Sequence, residues 1–110
     1  MTEDLLTLQV WLSPAFPVGG FTYSHGLEWA IEAGDVTSAA TLEAWLRDVL
    51  EHGAGRSDAI FLAQAHAETA AGDLDRLAEV IELAAEFQPS KERRLEATAQ
   101  GAAFVREVCD

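Results

Sequence analysis

The chain has 110 residues, 49% of them hydrophobic and 24% charged, which fits one globular domain or part of one. Its 19 acidic and 7 basic residues give a net charge of −12. A chain this acidic lacks the clustered Lys and Arg that binding to nucleic acid or to an anionic membrane requires. Such a surface suits solubility, or contact with a basic protein partner.

The first segment in chain order is a dense apolar run over residues 5–12. Its length and leucine content predict a helix of about ten residues beginning near Thr2 or Asp4, with a buried strand as the alternative. Pro14 and Pro17 end this helix. Residues 13–22 contain both prolines and two glycines, yet they are apolar. Because loops normally run over the surface, an apolar loop is expected to pack against the core or a partner.

The next segment predicts a helix from about Tyr23 to Ala33, capped by Thr22 or Ser24 and followed by a glycine at 34. Gly26 would lie inside this helix, at a cost of about 1 kcal/mol relative to alanine. A close approach of another backbone would account for a glycine there.

Two further helices are predicted in the middle of the chain. The first begins at Thr37 or Ser38, and its apolar residues recur with helical spacing. They are Leu42, Trp45, Leu46, Val49 and Leu50. Gly53 and Gly55 predict a break, after which Ser57-Asp58 opens a helix that closes at Gly72. The residues predicted to be buried in that helix are Ile60, Phe61, Leu62, Ala63 and Ala65.

The last two helices begin at Asp73 and Ser90, with Pro89 between them. The apolar stripe of the first is Leu74, Leu77, Ala78 and Ile81. In the second, the small residues around Gly101 predict close helix packing. This helix reaches the final residues without a cap or a polar tail, which is typical of a chain cut inside a helix.

These segments together predict an all-α fold, a bundle of five or six helices joined by short connections. We expect a single domain over residues 1–110, forming the incomplete half of a larger helical domain. A single cysteine, Cys109, excludes an intrachain disulfide and fits a reducing compartment. The first residues are acidic where a signal peptide is basic, and no apolar run approaches the roughly 20 residues of a membrane span. We therefore predict a cytoplasmic protein.

A search for catalytic and metal-binding patterns gives no strong candidate. The possible metal ligands are His25, His52, His66 and Cys109. None of them are four residues apart, the spacing that places two ligands on one helix face. His25 and Glu28 are three residues apart, a weak pattern that arises by chance. No nucleophile elbow and no phosphate-binding loop is present. The sequence therefore predicts no enzyme activity, no cofactor and no metal site.

The basic residues Lys91, Arg93 and Arg94 form the one positively charged cluster in the sequence. Its two interpretations are a solvated first helical turn and a contact with an acidic partner. Basic charge near a helix N-terminus is unfavourable by about 0.5 kcal/mol. We favour the solvated turn.

The most specific feature is the stretch SPAFPVGGFTYSHGLE over residues 13–28. It closely resembles the motif of the UreF family of urease accessory proteins, S-P-x-x-P-V-G-G-[FY]-[ST]-[YH]-S-x-G-L-E. The match extends into residues 29–30 and 32–34. Residues 42–46, Asp58, residues 65–66 and residues 90–94 are also similar to the family, although each is weak alone.

The resemblance implies an all-α protein that is not itself a catalyst. It implies a dimer that binds a second accessory protein, UreD or UreH, and recruits the GTPase UreG. The assembly would deliver nickel to apo-urease. The resemblance covers nearly all of this chain but only the first half of the family's pattern. Exposed apolar stripes would then promote an oligomer or a domain-swapped assembly.

The motif predicts a surface for a partner, with five residues as its exposed members: Phe21, Tyr23, Ser24, His25 and Glu28. The alternative is that the motif only builds a tight, buried turn, with its glycines serving the backbone. At the level of the whole chain, two other hypotheses remain. One is a generic helical interaction module without a role in urease assembly. The other is an enzyme or direct metal binder that uses His25, Glu28 and His66.

Overall fold

The computed structural model describes residues 2–20 and 23–109, which form six α-helices and no strand. The helices are α1 (Glu3–Trp11), α2 (Leu27–Glu32), α3 (Ala39–His52), α4 (Ala54–Ala71), α5 (Leu74–Glu86) and α6 (Lys91–Val108). The predicted all-α fold with short connections is confirmed. None of these helices is both long and apolar enough to cross a membrane.

Side-chain caps begin four of the six helices, as the sequence predicted. The hydroxyl of Thr2 accepts from the backbone N–H of Leu5 at the start of α1. Asp73 and Ser90 cap α5 and α6 in the same way. At α3, Ser38 forms a reciprocal capping box with Thr41. Each cap satisfies N–H groups that have no partner within the helix, which fixes where the helix begins.

The predicted start of the second helix at Tyr23 is wrong. The helix α2 begins at Leu27, and Gly26 is its N-cap with φ of 85°. His25 also has a positive φ, of 55°. Two consecutive left-handed residues cannot continue a right-handed helix, so Tyr23, Ser24 and His25 lie before it. The proposed cap Thr22 lies outside the described residues.

The predicted start of α4 at Ser57 is also wrong, by about one turn. The break is at Gly53 alone, which serves as the C-cap of α3 and the N-cap of α4. Gly55 lies within the helix. The predicted end is confirmed, because Gly72 caps α4 in a left-handed conformation that glycine adopts without a steric penalty.

The chain divides into two compact units, and the first contains α1, α6 and the described residues up to His25. Its centre is aromatic. The ring of Phe104 on α6 lies 5.5 Å from Trp11 and 5.6 Å from Phe16, between ring centroids. No residue of α1 is fully buried. The predicted close packing around Gly101 is not found, since no atom of another described element lies within 4 Å of a Cβ placed there.

The second unit spans residues 26–89, where α4 packs against both α3 and α5. Its buried apolar residues are Ala30 and Val36, and the rings of Phe61 and Phe87 meet edge to face at 5.4 Å. Three residues predicted to be buried are exposed, Ile60, Leu62 and Ala63. Four members of the predicted apolar stripes are also exposed: Leu46, Leu50, Leu74 and Ile81. Helical periodicity identifies an apolar face, but burial also requires a second element to cover that face.

Candidate functional site

The segment from Ser13 to Gly20 is folded by its own backbone rather than by a helix. The carbonyl of Ser13 accepts from the N–H of Phe16 at 3.0 Å, and the Ser13 hydroxyl accepts from the N–H of Ala15. The carbonyl of Phe16 then accepts from Val18 at 2.8 Å. These short-range bonds satisfy polar groups that an apolar loop would otherwise leave without partners.

The apolar part of this segment is anchored on α6. Phe16 is half-buried and contacts Phe104, which also contacts Trp11. Aromatic pairs at these separations contribute about 0.5–1.5 kcal/mol each beyond the burial of their area. The prediction that the loop packs against the core is therefore confirmed for Phe16, while Pro14, Ala15 and Pro17 remain exposed.

The end of the motif in the first unit is held by polar contacts. Nδ1 of His25 lies 2.6 Å from Nη1 of Arg93, and Nε2 lies 3.2 Å from Oε1 of Glu96. Glu96 is buried, at 7% exposure, whereas the His25 side chain is 48% exposed. Arg93 and Gln100 also donate to the Glu96 carboxylate, at 3.5 and 3.4 Å. The imidazole of His25 is thus fixed at both nitrogens while one side of the ring faces solvent.

The predicted partner residues fall in different places. Tyr23 is 41% exposed, His25 is exposed and Ser24 is half-buried, all in the first unit. Phe21 lies outside the described residues. Glu28 belongs to the second unit, where it is exposed in the first turn of α2. An acidic residue is favourable there, because the N-terminus of a helix carries partial positive charge. Tyr23, His25 and Glu28 are therefore exposed in their own units, and their role as a partner surface stays a prediction.

A metal site is not assembled in the part of the chain described here. Across residues 2–20 and 23–109, no three His, Cys, Asp or Glu side chains come together as ligands. Of the candidates, His25 already uses both ring nitrogens, and His25 and His66 belong to different units. His52 is exposed beside Glu51 at the end of α3.

No sequence pattern predicts a role for Glu96, and the basic cluster containing Arg93 is predicted to be a solvated turn. In the structure Arg93 is half-buried and directed to His25, 68 positions earlier in the sequence. The one available signal was the spacing of Arg93 and Glu96, which are three residues apart and therefore neighbours on a helix. Nothing local indicated that the pair would meet the motif.

The described residues form an all-α protein in which the motif residues Tyr23, His25 and Glu28 are exposed. The UreF family model matches residues 36–110. The chain therefore belongs to the UreF family, whose curated relatives are named urease accessory protein UreF.

Several curated relatives align with almost the whole chain. The proteins named urease accessory protein UreF from Bradyrhizobium sp. strain BTAi1 and Rhodopseudomonas palustris strain HaA2 are each 61% identical, over 92% and 96% of this chain. The protein of the same name from Methylorubrum populi is 55% identical over 93%. Alignments this long include residues 13–28. The chain spans 42%, 44% and 46% of the length of these relatives. No solved structure matches the chain.

Proposed function

We propose that this chain acts in the assembly of the urease nickel metallocentre, as a non-catalytic cytoplasmic accessory protein. It would bind UreD or UreH and recruit or regulate the GTPase UreG, so that nickel reaches apo-urease. The observation that carries this proposal is the 55–61% identity to proteins named urease accessory protein UreF over nearly the whole chain. Identity at this level extends well beyond the motif.

The geometry supports a role through contacts. In the first unit Tyr23 is exposed, and Phe16 of the segment before it contacts Phe104 on α6. In the second unit Glu28 is exposed. A rigid surface loses little conformational entropy when it binds, and an exposed Tyr is a frequent source of binding energy at interfaces. The net charge of −12 further favours a partner with a basic face.

The test is co-purification of this protein with tagged UreD and then with UreG, followed by urease activation in cells that lack their own UreF. We expect association with UreD and restored urease activity. Glu28→Lys should weaken association by about tenfold, or 1.4 kcal/mol, if Glu28 faces the partner. Glu82→Lys on α5 is the matched control, because it makes the same charge change at an exposed helical site. Absence of any association with UreD and UreG would refute the proposal.

The second candidate is a generic helical interaction module without a urease role. The exposure of Tyr23 and Glu28 supports it as well, because exposed side chains are equally compatible with other partners. Association with UreD decides between the two. The hypothesis of direct metal binding is tested by calorimetry with nickel. It requires tight nickel binding that is lost in His25→Ala.

A further inference from the structure

The cluster formed by His25, Arg93, Glu96 and Gln100 lies entirely within the first unit. Here a motif residue, His25, meets a buried charged side chain, Glu96. We call this group of residues the Glu96 cluster. The other buried carboxylate, Glu68, contacts Gln64 and Arg76 and stays within α4 and α5. The Glu96 cluster therefore joins the surface motif to α6 in a way that the second carboxylate does not.

The chemistry of Arg93 sets the state of the His25 ring. A guanidinium has only donors, so Nδ1 of His25 must accept from Nη1 at 2.6 Å and carries no hydrogen. The hydrogen of the neutral ring is then on Nε2, which faces Oε1 of Glu96 at 3.2 Å. Glu96 and Arg93 together select one neutral tautomer and one orientation of the ring.

The backbone of His25 needs such support. Its φ of 55° lies in the left-handed region, which a non-glycine residue occupies only where the surrounding structure over-determines it. Glu96 is 7% exposed, and a buried carboxylate must keep its hydrogen-bond partners. Its contacts with Arg93, Gln100 and His25 are therefore retained together, and they hold the residue that ends the motif segment of the first unit.

We propose that Glu96 is a positioning residue, whose buried carboxylate, with Arg93, fixes the His25 ring and the backbone at Tyr23–His25 in the arrangement offered to a partner. The partner-binding part of this inference rests on the proposed function. The part that concerns the contact between Glu96 and His25 is independent of the proposed function, and it is measured separately.

The first experiment is a long-range nitrogen–proton NMR spectrum of the histidine rings, recorded well above the ordinary histidine pKa of about 6.5. The signals of His25 are identified by their loss in His25→Gln. We expect the Nε2–H tautomer in the wild type and in Glu96→Gln, whose amide oxygen can still accept. Glu96→Ala should give a mixture of tautomers, because it removes the acceptor for Nε2–H and also the carboxylate that holds the Arg93 guanidinium against Nδ1. Glu107→Ala, which removes an exposed carboxylate from the same helix, should leave the pattern unchanged.

The second experiment measures association of the same variants with UreD. Glu96→Ala should weaken association by about fivefold or more, with Glu96→Gln closer to the wild type and Glu107→Ala unchanged. If Glu96→Ala does not fold, Glu96→Met replaces it, because its side chain fills similar space without an acceptor for Nε2–H.

The outcomes are distinguishable. An unchanged His25 pattern in Glu96→Ala, or in Glu96→Met where that variant replaces it, overturns the inference whatever the partner does. A changed pattern with unchanged UreD association refutes the role in binding. If the wild type does not bind UreD, the proposed function fails, while the ring spectrum still decides whether Glu96 holds His25.

Discussion

At the scale of single residues, His25 and Gly26 occupy the left-handed region for different physical reasons. Glycine has no Cβ and enters this region freely, so Gly26 at φ of 85° is a low-energy start for α2. His25 has a Cβ, and side-chain contacts on α6 accompany its conformation. The two residues therefore respond differently to substitution.

Two glycine-to-alanine substitutions should change stability in opposite directions. Gly26→Ala is expected to destabilise by about 1–2 kcal/mol because of its φ, since the added Cβ would meet Trp45 only at an ordinary 3.8 Å. Gly101→Ala, inside α6 with open space around it, should stabilise by up to about 1 kcal/mol. Urea denaturation of both variants measures this. Destabilisation by both would show that Gly101 is needed for packing.

Removal of one helix cap tests the assignment of α6. Ser90→Ala deletes the hydroxyl that accepts from the N–H of Arg93, and should cost about 1 kcal/mol. Thr98→Ala is the control, because its hydroxyl bonds to a carbonyl within the same helix and contributes little. The comparison is made by thermal unfolding followed by circular dichroism. Equal effects would argue against capping as the cause.

At the scale of helices, the sequence predicted the caps, which depend on residues close in sequence. It did not predict burial or the contacts between residues far apart in sequence. The caps at Ser38, Asp73 and Ser90 involve partners three residues away, so local residue types were sufficient. The exposure of Leu62 and Ile81 depends on which element covers each face, and periodicity does not contain that information. His25 and Glu96 lie 71 positions apart in the sequence, so no local pattern predicts their contact.

For the candidate site too, the sequence predicted some features and not others. The motif located the exposed residues Tyr23, His25 and Glu28, although it did not reveal their backbone. The predicted helix start at Tyr23 is wrong because His25 and Gly26 are left-handed, a conformation that the residue types did not indicate. The contact between Glu96 and His25 is visible only in the three-dimensional structure.

The aromatic contact between the motif and α6 gives a prediction at this scale. Phe104→Ala removes the ring that contacts both Trp11 and Phe16, and should cost about 2–3 kcal/mol, less than for a fully buried Phe. Val105→Ala, at the adjacent exposed position, should change stability by less than about 0.5 kcal/mol. Urea denaturation gives both values, and near-ultraviolet circular dichroism reports the environment of Trp11. A similar cost for the two variants would contradict the role of the aromatic contact.

At the scale of the whole molecule, apolar surface and net charge act in opposite directions. Leu5, Leu8 and Leu12 line an open groove on α1 and are 50%, 46% and 73% exposed. Exposed apolar surface of this kind promotes association. The net charge of −12 opposes it, because two copies repel each other. The balance should therefore depend on ionic strength.

We expect the protein to self-associate through this groove, and more strongly in salt, since about 0.15 M salt reduces the screening length to about 8 Å and weakens the repulsion. Sedimentation velocity over a range of concentrations measures the association. Leu8→Lys should shift the distribution towards monomer, because a charge enters the groove. Thr7→Lys adds the same charge at the neighbouring position of α1. It should leave association intact or slightly stronger, because it makes the net charge less negative and so reduces the repulsion between copies. A monomer at every concentration and salt level would contradict the expectation, and equal effects of the two variants would place the contact elsewhere.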